Sequence, residues 1–179
     1  MERVLEILGR LVAFPTVSTE PNLDLVDYAV DLLAASGAEV ETFHDSTGEK
    51  ASVFATIGPD TGGGVVLSGH TDVVPTDGQE WSHDPFALTV ESGRGFGRGT
   101  TDMKGFIACA LAMAPTFAAA DLARPVHIAL TYDEEEGCHR ARRILSELVR
   151  SGRPLPQVAI IGEPTDFGVV VAPKGCYEY

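Results

Sequence analysis

Apolar residues recur at helical spacing near the N-terminus, where Val4, Leu5, Leu8, Leu11 and Val12 trace one face of a helix. Phe14-Pro15 stops it, because a residue before proline is pushed out of the α region. A second helix is predicted from Asn22 as N-cap, through Leu25, Val26, Ala29, Val30 and Leu33, to Gly37 as C-cap. Extended segments follow at Ala38 to Phe43 and Ser52 to Ile57, then a turn with a triple glycine at Gly62 to Gly64. Val65-Val66-Leu67 is short and apolar, as a buried central strand should be, and runs to His70. Phe86 to Val90 reads as a further strand, and Lys104 to Ala120 as an alanine-rich helix that Pro115 should kink or end early. Val126 to Leu130 and Val158 to Ile161 read as strands, with a basic-faced helix between them from Arg140 to Val149. Strands alternating with helices predict an α/β fold, with a mostly parallel or mixed sheet flanked by helices on both faces.

Length and composition narrow the class. A chain of 179 residues suits one domain with a core that needs no staples. Hydrophobic content of 44% and charged content of 22% are ordinary for a soluble globular protein. No apolar run approaches the roughly 18 residues of a membrane span. The opening MERVLEILGRLVAF lacks the charge order and cleavage site of a signal peptide. Three widely separated cysteines, Cys109, Cys138 and Cys176, suit reduced thiols, and the expected compartment is the cytoplasm. A net charge of −13 excludes the basic footprint that nucleic acid requires.

Much of that acidity sits on helix faces, but some carboxylates directly follow predicted strands. His70 and Asp72 are two apart, so in extended chain both point to one face. An imidazole there can ligate metal while a carboxylate behind it fixes its tautomer; the competing reading is a satisfied core histidine. Asp102 lies in a glycine-bearing turn, GRGTTDMKG, which lets backbone pass close to a metal or substrate. No phosphate-loop pattern occurs there, although a plain turn would look the same. Glu134 and Glu135 are adjacent in TYDEEEG, so a tight turn could give them different jobs, one as ligand and one as general base. The alternative is a solvated acidic turn at a helix N-terminus. Glu163 follows Ile160-Ile161-Gly162. Taken together, the six side chains have the donor set of a two-metal hydrolase site, which no single element can supply. His44, His83, His127 and His139 fit no ligand position, with His83 the closest to a cleft loop, and Cys138 reads as a buried thiol.

The segments SGHTDVVP, GRGTTDMKGFIA, YDEEEGC and IIGEPT, in this order and spacing, resemble the M20 family of metallopeptidases and amidohydrolases. The resemblance extends to FPTVS and WSHDPF, covers essentially the whole chain, and is strongest to the acetylornithine deacetylase branch. It implies that His70 and Glu163 bind one zinc, that Glu135 binds the other, and that Asp102 bridges them. It also implies Glu134 as general base, Asp72 as the support of His70, and a cis Asp102–Met103 peptide. The implied cofactor is Zn2+, two ions in the complete family site, with Co2+ able to substitute. The implied reaction is hydrolysis of the amide of a small N-acyl amino acid, with N-acetylornithine, a step of arginine biosynthesis, as first candidate. Carboxypeptidase, aminoacylase and succinyl-diaminopimelate desuccinylase activities differ from it only in the substrate pocket.

Two departures qualify the expectation. Family members are longer, so this chain reads as the N-terminal part of a catalytic domain without the lid and dimerisation domain or the late metal-binding histidine. Pro173 also stands before Lys174-Gly175 where the family usually has histidine. A non-catalytic metal-binding fragment is therefore the rival reading. Strands left without partners, Val169-Val170-Val171 among them, would favour self-association.

Overall fold

A computed structural model describes residues 1–137, 141–152 and 154–171. Cys138, His139, Arg140, Pro173, Lys174, Gly175 and Cys176, which figure in the sequence reading, lie outside the described residues. Eleven elements follow one another: α1 (Glu2–Ala13), α2 (Leu23–Ala35), β1 (Glu39–His44), β2 (Ala51–Ile57), β3 (Val65–His70), β4 (Thr89–Glu91), β5 (Arg94–Phe96), α3 (Lys104–Ala119), β6 (Val126–Thr131), α4 (Ala141–Arg150) and β7 (Val158–Ile161). Five strands form one mixed sheet in the order β1-β2-β6-β3-β7. The β1–β2 and β2–β6 pairs are antiparallel, whereas β6–β3 and β3–β7 are parallel.

Strand alternation explains how both faces are covered. Val53, Ala55, Ile57, Ile128 and Leu130 face the larger core, which they share with Ile7, Leu11, Leu25, Leu33, Ile107 and Leu111 of α1 to α3. Phe54 and Ala129, one residue out of step, face the other way and meet Ile144 and Leu148 of α4 in a smaller cluster. A helix-flanked α/β sheet is therefore what the residues build. No described helix is long and apolar enough to cross a membrane.

Local chemistry accounts for the differences from expectation. Asn22 is the N-cap of α2, but its side chain makes no cap bond. Its amide instead donates to the Ala51 carbonyl and accepts the Ala51 N–H, both at 2.9 Å, so it ties α2 to β2. Ser36 rather than Gly37 is the C-cap, and Gly37 takes the left-handed position after it, at φ +83°. The strand expected over Phe86 to Val90 is confined to β4, because Asp84 closes a turn that takes the N–H groups of Phe86 and Ala87. β4 then pairs antiparallel with β5 as a separate hairpin. Pro115 does not end α3, which continues to Ala119 with the proline exposed. Packing on α1 and the sheet holds the helix past one missing N–H.

β7 is an edge strand, and all four of its residues are exposed, including Val158, Ile160 and Ile161. Val169, Val170 and Val171 form no strand and are exposed as well, with Leu145 and Val149 of α4 adding to the apolar surface. Unpaired edges of this kind template association. The isolated chain is expected to self-associate at low micromolar concentration despite its charge, as read by sedimentation velocity. A stable monomer would mean that the edge is covered in solution.

Candidate metal centre

Parallel strands deliver functional groups at their carboxyl ends, and here three neighbours do so side by side. His70 ends β3, Asp133 to Glu135 follow β6, and Glu163 follows β7. Asp102 arrives from the turn before α3, through a peptide to Met103 that is cis. The turn is tightly packed. A Cβ on Gly105 would meet the Thr100 carbonyl at 2.4 Å, and one on Gly99 would meet Lys104. Glycine is required at Gly105 by that backbone approach, and at Gly99 by its left-handed φ of +79° together with the packed side chains.

His70 is buried, and its two ring nitrogens have different partners. Nδ1 lies 2.9 Å from the Asp72 carbonyl oxygen, and Nε2 lies 3.0 Å from Oδ1 of Asp102. Carboxylate oxygens of Glu163 and Glu134 stand 3.8 Å and 3.9 Å from the same Nε2. Donor atoms of His70, Glu134 and Glu163 lie within 4.8 Å of one another, as do those of His70, Asp102 and Glu135. Asp102, Glu134 and Glu163 thus converge on one buried imidazole nitrogen, and Glu135 joins the cluster beside Asp102. Imidazole with carboxylates is a donor set suited to zinc and similar divalent ions.

Electrostatics support the same reading. Burial works against a charge on His70, but Asp72 and Asp102 outweigh it and hold the imidazole pKa up at about 9. Burial and the neighbouring charge of Asp102 push Glu135 upward. Burial pushes Glu163 upward too, and repulsion from Asp102, Glu134 and Glu135 acts in the same direction against the pull of His70. A proton thus does part of the work that a cation would do, and a dication between these oxygens would relieve their repulsion.

Asp72 has a wider role than the sequence suggested. It is buried, and its carboxylate accepts the Ser18 hydroxyl at 2.7 Å and the backbone N–H groups of Glu134 and Glu135 at 3.2 and 3.3 Å. Burial raises its pKa, but hydrogen bonds from His70, Ser18 and the Glu134 N–H outweigh that and hold it below the usual carboxylate range. Lys50 braces the acidic loop from the other side, pairing with Asp133 at 2.8 Å and donating to the Ser18 carbonyl. Lys104, fully buried, donates to the Phe14 carbonyl at 2.7 Å. Burial pulls its pKa down to about 7 against the opposing charge of Asp72.

Ser18, Lys50 and Lys104 were missed as site residues. The only signal for Ser18 and Lys104 was their position in FPTVS and DMKG, and nothing local marked Lys50, since the partners of all three are remote in sequence. Among the described residues, His127 and His83 lie outside the groups of converging donors. His127 meets Thr56 and stacks on Phe54, while His83 stacks on Phe96 of the β4–β5 hairpin and lies 3.6 Å from Glu91. A cavity of about 190 Å3 is lined by Val74, Gly97 to Thr101, Asp102 and Glu135. A larger concavity of about 740 Å3 follows the N-terminal loop past Phe14 and Asn22, and includes none of the converging carboxylates. Of the two, only the smaller is lined by converging carboxylates, those of Asp102 and Glu135.

The sequence profile of the peptidase family M20/M25/M40 matches residues 66–174, more than half of the chain and a span that contains every converging carboxylate. The chain belongs to that family. Among solved structures, human carnosine dipeptidase 1 is similar at 25% identity and a TM-score of 0.78, over 89% of this chain and 38% of its own. An M20 family metallo-carboxypeptidase from Sulfolobus solfataricus is similar at 22% identity and TM-score 0.77, over 90% of this chain and 37% of its own. A di-peptidase from Saccharomyces cerevisiae shares the fold at 20% identity and TM-score 0.72, over 89% of this chain and 38% of its own. The M20 chain described here therefore spans well under half the length of these relatives.

Two outcomes follow for metal binding. His70→Ala should remove more bound zinc than Asp72→Ala, whose loss should weaken affinity about 10–100-fold through misplacement of His70 and the acidic loop. Metal analysis after dialysis reads both, and negligible loss in both would make His70 a core residue only. A divalent cation ligated by His70 would have to displace the proton favoured on its ring, whose pKa Asp72 and Asp102 hold up at about 9. Apparent affinity should accordingly climb as pH rises from 6 towards 9, with proton release on binding. Calorimetry in buffers of different ionisation enthalpy measures this, and a flat profile would remove His70 from the ligand set.

Proposed function

We propose that this chain carries the metal-binding half of a zinc-dependent hydrolase that cleaves the amide bond of a small N-acyl amino acid. One observation carries the reading: the carboxylates of Asp102, Glu134 and Glu163 stand around the Nε2 of a single buried histidine at the strand ends, with Glu135 in the same cluster. His70, Asp102, Glu135 and Glu163 would hold the ions, and Glu134 would act on water. A divalent cation, when bound there, supplies Lewis acidity towards the amide carbonyl and towards water.

The chain's own residues would do the rest. Glu134 takes a proton from the attacking water at a carboxylate oxygen and later returns it to the departing amine. Its backbone N–H is held by the Asp72 carboxylate, so its reach is set by the same residue whose backbone carbonyl faces His70 Nδ1. Likeness of the motif segments to the acetylornithine deacetylase branch makes N-acetylornithine the first substrate to try. The dipeptidase and carboxypeptidase among the similar structures support a second reading, in which the acyl group is an aminoacyl residue and the substrate a dipeptide. Both readings share the bond that breaks and the groups that break it.

Glu134→Gln tests the mechanism. It should leave zinc content nearly unchanged and lower turnover of N-acetylornithine, or of a dipeptide, about 100- to 10,000-fold. Turnover equal to wild type would eliminate Glu134 as the base. Tight metal binding without any turnover in the wild-type chain would favour the non-catalytic fragment.

A further inference from the structure

The smaller core is left open at the end of the sheet away from the metal centre. His127 is the second residue of β6, whose other end leads to Glu134 and Glu135. Past Leu148 of α4, a cavity of about 520 Å3 reaches Phe54, Thr56 and His127. Small-molecule sites usually span roughly 300–1,000 Å3. Strand register sets three polar side chains in one row here: Glu39 of β1 pairs with Thr56 of β2, and Thr56 pairs with His127 of β6. Directly paired residues share a face of the sheet, so carboxylate, hydroxyl and imidazole stand side by side. His127 Nδ1 lies 3.0 Å from the Thr56 hydroxyl, and its ring stacks on Phe54 with centroids 5.1 Å apart. Its Nε2 is buried and makes no hydrogen bond among the described residues, a condition that buried polar atoms seldom keep. Burial holds the imidazole below its ordinary pKa, with a contact to the Gly63 backbone pulling the other way, so the ring is neutral at pH 7.

We propose that this open end of the smaller core binds a small amine whose flat apolar body carries a neutral oxygen at its far end. With the Thr56 hydroxyl donating to Nδ1, His127 Nε2 keeps its hydrogen and donates it to that oxygen. Phe54, Leu148 and Leu155 offer the body apolar walls. The ammonium lies by Glu39, two strand spacings or roughly 10 Å from His127. Glu39 and Asp60 are exposed at the rim, and no described lysine or arginine lines the cavity. Arg124, close by, spends its guanidinium on the Thr61 and Gly62 carbonyls. An anion is therefore disfavoured, and the net charge of −13 acts in the same direction. The wall beside it is firmly built: Gly62 holds φ at +71°, and a Cβ there would collide with Pro154. The site is independent of the hydrolysis proposed above, whose residues lie beyond the other end of β6.

Tyramine has this shape and carries neither an amide nor a carboxylate, so it is a suitable probe. The chain, with and without zinc, is titrated with tyramine, with phenethylamine, which lacks the hydroxyl, and with p-ethylphenol, which lacks the amine. Calorimetry gives the affinities, and proton NMR follows the His127 Cε1–H signal, assigned by its loss in His127→Phe. Tyramine should shift that signal saturably and bind about fivefold more tightly than phenethylamine. Its advantage over p-ethylphenol should be about threefold and should fade in high salt. His127→Phe should bring tyramine down to the level of phenethylamine, and Glu39→Gln should bring it down to the level of p-ethylphenol. Glu39 is exposed, so that variant keeps the test decisive if His127→Phe fails to fold. No saturable shift of the His127 signal, or equal affinity for all three compounds, would overturn the site. So would undiminished tyramine binding in Glu39→Gln or in a folded His127→Phe. Binding that appears only with zinc would move tyramine to the metal centre and overturn the site too.

Discussion

The carboxylate of Asp72 holds three distant segments in one geometry. It accepts from Ser18 of the N-terminal loop and from the Glu134 and Glu135 N–H groups after β6, while its own backbone carbonyl faces His70 Nδ1. A buried carboxylate is costly unless its lone pairs are filled, so these bonds are obligatory rather than decorative. That requirement is what fixes the acidic loop. Without it, adjacent glutamates on a turn would spread apart in water under their own repulsion.

The sheet supplies the rest of the placement. β3 lies between β6 and β7 with parallel register on both sides, so three strand ends finish at nearly the same height. His70 pairs with Thr131 in that register, and the loop beyond Thr131 carries the glutamates. Glu163 enters two residues after β7 ends. A site assembled from strand ends gains precision from the sheet and chemical variety from the loops.

Much of this was legible in the sequence because the converging residues announce themselves locally. His70 closes an apolar run, Asp102 sits among glycines, and Glu163 follows Ile160-Ile161. The supporting residues do not announce themselves. Ser18 and Asp72 are 54 positions apart, and Lys50 and Asp133 are 83 apart, so only the folded chain reveals them as partners. Asn22 shows the same limit, since a good capping residue spends its amide on β2 when tertiary bonding satisfies it better. Phe86 fails as a strand because Asp84 captures its N–H locally, and Pro115 fails as a terminator because packing on α1 and the sheet outweighs one lost hydrogen bond. In each case the local preference was real and a neighbouring bond was stronger.

The two cores differ in depth, and the metal centre straddles them. His70 belongs to a strand buried between partners, whereas Glu163 hangs from a strand whose residues are all exposed. Local stability follows burial, so β7 should open far more often than β3 or β6. A cation held jointly by His70 and Glu163 would then join the firmest part of the sheet to its loosest. Metal occupancy and protection of the β7 amides from hydrogen exchange become one linked equilibrium, with the ion serving as the missing neighbour of an edge strand.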